Sequence, residues 1–193
     1  MINILEIKNT YFSYPDGTDA LQDINLSVKQ GEFLGILGGN GSGKTTLLKI
    51  LNGLLKTTKG EVYLEGNNIK SINKDILFRK VCTCFQNPED QLFSSTVGED
   101  IAFGPINMGL PKEEVKRRIY YALEAVEMVA FSDKTIHNLS FGQKKRACLA
   151  GVLAMNPKVM LLDEPTSCLD PMGVNTIMQL LRKLNKEQGI TMI

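Results

Sequence analysis

Apolar and polar positions recur with two periods along this chain, and the change of period marks its elements. Ile4-Leu5-Glu6-Ile7-Lys8-Asn9 and Tyr11-Phe12-Ser13-Tyr14 predict a strand and its continuation, closed by the turn residues Pro15-Asp16-Gly17. Strict alternation from Ile24 to Val28 predicts a half-exposed strand. After the turn Gln30-Gly31-Glu32, the apolar run Phe33-Leu34-Gly35-Ile36-Leu37 predicts a buried strand, and Thr46-Leu47-Leu48-Lys49-Ile50-Leu51 predicts a helix. Residues 61–66 predict a hairpin strand returning to the first β unit. A short helix over 72–79 and a buried strand, Val81-Cys82-Thr83-Cys84-Phe85, lead to Gln86. A short antiparallel β unit thus precedes an α/β core.

From Pro88 the period becomes helical. A short helix is predicted over 97–104 and a longer one from Pro111. Val115, Ile119, Leu123, Val126 and Val129 keep a three-to-four spacing, with Glu113, Glu114, Lys116, Arg117 and Arg118 on the other side. The run Lys116-Arg117-Arg118 therefore reads as a solvated face rather than a nucleic-acid patch. Residues 87–140 form a helical insertion between core strands. Ser140 predicts the cap of a helix running to Ala154. Lys158–Leu162 predict a buried strand, residues 172–187 a helix, and residues 189–193 the start of another strand. Residues 1–193 read as one domain.

Composition changes this picture little. The 193 residues are 43% hydrophobic and 22% charged, as in an ordinary globular protein. A net charge of +1 gives no electrostatic footprint for nucleic acid, which is not expected as a partner. No apolar run reaches the roughly eighteen residues of a membrane span, and the N-terminus does not read as a signal peptide. The cysteines are Cys82, Cys84, Cys148 and Cys168; Cys82-x-Cys84 has the wrong gap for a zinc knuckle and, in the apolar run Val81–Phe85, reads as buried thiols, whereas Cys168 falls in the polar turn 167–171.

The chemistry centres on Gly38-Gly39-Asn40-Gly41-Ser42-Gly43-Lys44-Thr45-Thr46, which fits G-x-x-x-x-G-K-[ST] between a predicted strand and a helix. Glycines let backbone N–H groups turn around an anion, and the helix N-terminus adds unpaired donors. Lys44 supplies charge to the β- and γ-phosphates, and Thr45 a hydroxyl to Mg²⁺. The second strong signal is Asp163-Glu164 at the end of a buried strand. Adjacent carboxylates there imply a cation on the first and a proton acceptor in the second. Three features stay open on residues alone. Tyr14 either stacks on a base or packs on its sheet, Gln86 is a functional amide or a loop residue, and the helix at Ser140 is an anion site or merely a capped helix.

Together these residues resemble the nucleotide-binding subunit of ABC transporters over nearly the whole chain and in the family's order. The loop matches Walker A, Tyr14 the adenine-stacking aromatic, Gln86 the Q-loop glutamine, and Leu139-Ser140-Phe141-Gly142-Gln143 the LSGGQ signature. Residues 160–164 match Walker B with its catalytic glutamate, and Ser167-Cys168-Leu169-Asp170 the D-loop. The resemblance implies an α/β P-loop NTPase with a RecA-like core, an antiparallel β subdomain and a helical insertion. It implies ATP and Mg²⁺ as cofactors, with Thr45, Gln86 and Asp163 toward the metal and Glu164, Gln86 and Lys44 in catalysis. Gly38 to Thr46, Tyr14, Ser140, Gly142 and Gln143 would contact nucleotide. Tyr14-Pro15-Asp16-Gly17, Gln86-Asn87-Pro88-Glu89-Asp90-Gln91 and Glu99-Asp100-Ile101-Ala102-Phe103-Gly104 resemble the cobalt-importer and energy-coupling-factor ATPases.

The implied protein is a peripheral subunit on the cytoplasmic face of the membrane. It would work as a homo- or heterodimer with a second ATP-binding subunit, on integral membrane subunits that take up cobalt, nickel or a vitamin. Each ATP would lie between Lys44, Thr45 and Asp163 of one chain and Ser140 and Gly142 of the other. Phe141 departs from the family's glycine. The family's switch histidine would lie beyond the strand at Gly189, so the resemblance implies a C-terminally truncated subunit; a second hypothesis is that this form binds ATP and hydrolyses it poorly. The single histidine, His137, reads as a helix-flanking polar residue. The competing class is a non-transport ABC ATPase. A chromosome-maintenance protein needs a long coiled-coil insertion between Gln86 and Ser140, and a translation factor usually has two cassettes and a basic balance. A small-molecule P-loop kinase would not account for Leu139–Gln143.

Overall fold

The computed structural model describes residues 3–193. Its contacts divide into two units, the first comprising residues up to Thr83 with 158–163 and 188–193, the second comprising 84–157 and 164–187.

The first unit is built on β1 (Asn3–Ser13), which pairs antiparallel with β2 (Asp19–Lys29) on one side and β3 (Lys59–Leu64) on the other. Leu5 and Ile7 are buried before Asn9, and Thr10 and Phe12 after it. That change of phase is a bulge: Asn9 has φ 44°, and the register shifts between Ile7 and Thr10. The bulge explains why the sequence reads as a strand and a continuation rather than one alternating run. β3 turns through Glu65-Gly66, both at positive φ (51° and 76°), into β4 (Asn67–Asn68), as a two-residue hairpin requires.

Helix α1 (Lys44–Leu51) buries Leu47, Leu48, Ile50 and Leu51 in one core with Leu5, Ile7, Val62 and Leu64 of the sheet and Leu77 of α2 (Lys74–Lys80). Each such side chain contributes about 1.5–3 kcal/mol. The start of α1 is thereby fixed by its far end. A second sheet has the order β5 (Val81–Cys84), β6 (Val159–Leu162), β7 (Thr191–Met192), the last two parallel.

The predicted buried strand over 33–37 is corrected here. Only Phe33 makes a bridge, to Met192, and Leu34 N–H donates to Met192 O at 2.8 Å. Past Leu34 no further rung forms among the described residues, and Leu37 is 97% exposed. An apolar run without a paired neighbour has nothing to hold it as a ladder.

In the second unit, α3 (Val97–Asn107), α4 (Lys112–Ala125) and α5 (Phe141–Ala154) pack pairwise, and α6 (Pro171–Gln188) buries Ile177, Leu181 and Leu184. Ala147, Cys148, Ala150 and Ala154 make α5 slender enough for that packing. Thr96 and Glu99 form a capping box at the start of α3. The basic run of α4 is solvated in part. Lys116 and Arg117 pair with Glu113 and Glu114, but Arg118 donates to Ala154 O and Met155 O at 3.2 and 3.3 Å, capping the end of α5. Val129 lies beyond α4, in a 3-10 turn at Val129–Phe131, and is exposed. His137 flanks α5 in another such turn. Among the described residues no helix is long and apolar enough to cross a membrane.

Candidate active site

The phosphate loop ends where Gly43 takes φ 89° as the N-cap of α1 and makes no side-chain cap. A Cβ on Gly43 would stand 2.5 Å from Ala20 O, so the conformation and the close approach both require glycine. A Cβ on Gly38 would stand 2.5 Å from Ser42 Oγ, a side-chain atom that would have to move. Gly38, Gly39, Asn40, Gly41 and Ser42 are exposed, so the loop's backbone is open to a ligand. Lys44 Nζ donates to Gly38 O and Gly39 O, both at 2.9 Å, folding its charge over the loop.

Thr45 and Thr46 have different partners. Thr45 Oγ1 donates to Asp163 Oδ2 at 2.8 Å and lies 3.1 Å from Oδ1. Asp163 is buried at the end of the all-buried strand β6. A buried carboxylate and a hydroxyl, with no cluster of three acidic, cysteine or histidine ligands among the described residues, suit Mg²⁺. That ion uses one or two protein oxygens and fills its octahedron with phosphate and water. Thr46 Oγ1 is 2.8 Å from Tyr14 OH, and the Tyr14 ring meets Phe12 edge-on at 4.9 Å. Tyr14 therefore packs on its sheet and is tied to the loop helix, with about a third of it exposed.

In the second unit Gln86 Nε2 donates to Glu164 Oε2 at 2.8 Å. Glu164 follows Asp163 directly in the chain and takes φ 46°. Ser140 caps α5: its Oγ accepts from Gln143 N–H at 3.3 Å, and Gln143 Oε1 accepts from Ser140 N–H at 3.0 Å. Gln143 thus has a local task besides any contact with nucleotide. A Cβ on Gly142 would meet only Leu169 Cδ2, at an ordinary 3.7 Å. Nothing in the chain's own packing demands glycine there.

Sequence reasoning missed three participants. Gln91 Oε1 accepts from Phe85 N–H and its Nε2 donates to Cys148 O, bracing the turn after β5. Lys144 pairs with Glu89, which holds that carboxyl below its ordinary range. Lys145 is fully buried, and burial lowers its pKa. Its signal was present: Lys145, Cys148, Leu149 and Val152 share the buried face of α5. Cys82, Cys84 and Cys148 are buried, and burial pushes the Cys82 thiol up to about 12. Cys168 is exposed and lies at φ 60° in the polar turn before α6.

The family model for ABC transporters matches residues 21–167, from β2 through the turn after Glu164. The chain belongs to the ABC transporter family. This ABC ATP-binding domain is 55% identical to the energy-coupling factor transporter ATP-binding protein EcfA of Methanocaldococcus jannaschii over 192 residues, 98% of this chain and 68% of that one. Among solved structures it matches cbiO1 from Clostridium perfringens, part of the ABC transporter complex cbiONQ. The TM-score is 0.92 at 46% identity, covering 100% of this chain and 78% of that one. A dimeric ATP-binding cassette, MJ0796, in a post-hydrolysis state with ADP and Pi, matches with TM-score 0.85 at 34% identity, over 97% and 85% of the two chains. The ABC domain spans 65 to 70% of the length of four curated relatives it matches.

Proposed function

We propose that this ABC domain hydrolyses ATP as one subunit of an importer of the energy-coupling-factor type. The single observation that carries the reading is the Gln86–Glu164 hydrogen bond, on the residue next to the Thr45–Asp163 pair. A carboxylate with one oxygen on an amide keeps the other free to take a proton from water. Lys44, the loop amides and the open start of α1 bind the phosphates, and Asp163 with Thr45 would hold Mg²⁺. The ion, when bound, neutralises charge on the phosphates.

The glycine at Gly142 supports a dimer. It is unneeded within the chain, so the close approach it permits is to something outside: the γ-phosphate of ATP held by the partner subunit, beside Ser140. The dimeric relative carrying ADP and Pi accords with that arrangement. The relatives named as the transporter ATP-binding protein EcfA and as cbiO1, part of an ABC transporter complex, support work within a transporter. The reading gives it a membrane partner and, as cargo, a metal ion such as cobalt or nickel, or a vitamin. Phe93 (65% exposed) and Phe103 (50%), edge-on at 4.7 Å, and Ile106 (60%) give the helical region an apolar patch where that partner would dock. The subunit would sit peripherally at the cytoplasmic face, paired with a second copy or a related cassette.

The test is Glu164→Gln. It is expected to bind ATP as the wild type does and to turn over about 10²- to 10⁴-fold more slowly. Turnover near wild type would refute the assignment of the base.

A further inference from the structure

Lys145 is 1% exposed, the bulkiest of the fully buried side chains. An ammonium withdrawn from water must find acceptors. Its Nζ donates to Gln86 O at 2.5 Å, Glu164 O at 3.2 Å and Ser167 Oγ at 3.4 Å, and lies 5.6 Å from the centre of the Phe141 ring. Two of these acceptors are the main-chain carbonyls of Gln86 and Glu164, the two residues whose side chains meet at 2.8 Å.

The Glu164 carbonyl is held from several sides. It accepts from Ser167 N–H at 3.0 Å and from Ser167 Oγ–H at 2.9 Å as well as from Lys145. Glu164 itself has φ 46°, a left-handed conformation that a non-glycine residue keeps only where its surroundings over-determine it. Lys145 bridges the two segments that carry these residues. One ammonium bonds the carbonyl behind the amide donor and the carbonyl behind the carboxylate acceptor, which fixes the separation of their side chains.

We infer that Lys145 is the positioning residue of the Gln86–Glu164 pair, acting through the main-chain carbonyls of both without touching nucleotide. This rests on the reading of Glu164 as the base. The charge matters as well as the reach, because a charge-assisted donor serves several acceptors at once.

Lys145→Met and Lys145→Gln, each made in the wild-type and Glu164→Gln backgrounds, test the inference. Fluorescent mant-ATP titration reads nucleotide affinity, and single-turnover hydrolysis with the chain in excess reads the chemical step. Lys145→Met is expected to leave mant-ATP affinity within about twofold and to slow hydrolysis about 10- to 100-fold, as loss of a supporting contact does. Lys145→Gln, which keeps a donor, recovers part of that rate. In the Glu164→Gln background Lys145→Met costs nothing further, because the two act as a unit. A residue needed only for folding would lower the melting temperature without this dependence on background. Equal losses in both backgrounds, unchanged hydrolysis, or a parallel loss of mant-ATP affinity would overturn the inference and leave Glu164 in place. Wild-type hydrolysis by Glu164→Gln alone would overturn the reading of the base and the inference with it. Should Lys145→Met not fold, Lys145→Gln carries the same cycle.

Discussion

Gly142→Ala separates what the fold needs from what the function needs. Gly142 lies in the first turn of α5, where a methyl group meets only Leu169, at 3.7 Å. Glycine in a helix costs about 0.5–1 kcal/mol relative to alanine. A chain of this size shifts its melting temperature by about 2–4 °C per kcal/mol. The variant is therefore expected to melt about 1–4 °C higher than the wild type by circular dichroism. Its ATP turnover should move the other way. A methyl group forced into a close contact costs about 1–3 kcal/mol, which is about a 5- to 150-fold loss in rate. Mant-ATP affinity of the isolated subunit should hold, because the phosphate loop belongs to the first unit and is not altered. Higher stability with lower turnover is a combination that damage to the fold cannot produce. Full turnover in Gly142→Ala, or a lower melting temperature, would refute the argument that this glycine serves a contact outside its own chain.

Gly43→Ala should behave in the opposite way. Its φ of 89° and the 2.5 Å approach to Ala20 O should cost more than about 2 kcal/mol, lowering the melting temperature by about 4–8 °C and removing mant-ATP binding. Glu65 accepts from Lys158 and Lys80, which hold its carboxyl below the ordinary 4.5. A depressed folded pKa stabilises above pH 4.5 and loses that effect as pH falls through the lowered value. Glu65→Gln should thus be less stable by about 0.2–1 kcal/mol at neutral pH, with the gap closing below pH 4.5 in urea titrations.

The parts of the site legible in sequence are those whose chemistry is local. The phosphate loop is a run of glycines ending in Lys44 and Thr45, and its conformation follows from its own residues. Ser140 and Gln143 stand three apart at the start of a helix, a spacing that spells the capping box the structure contains, although the sequence reading gave Gln143 only a nucleotide to touch. What depends on distant partners was harder. The run from Phe33 to Leu37 has the apolarity of a buried strand, but a strand is made by its neighbour, and pairing stops at Met192. Lys145 and Arg118 each sit in a basic run that suggests solvent. Only tertiary packing reveals that the first is sealed against carbonyls and the second caps another helix.

The capping box at Ser140 has a consequence for proton placement. Its bond with Gln143 N–H consumes a lone pair of the serine oxygen and not its hydrogen. Gln143 in turn accepts from the Ser140 N–H, so that donor is spent locally as well. The hydroxyl is thereby polarised. Electron density is drawn toward the helix amide, and the O–H is left as the donor best able to face an incoming oxyanion. An acceptor arriving at this turn finds a hydrogen already made more acidic by the helix that carries it.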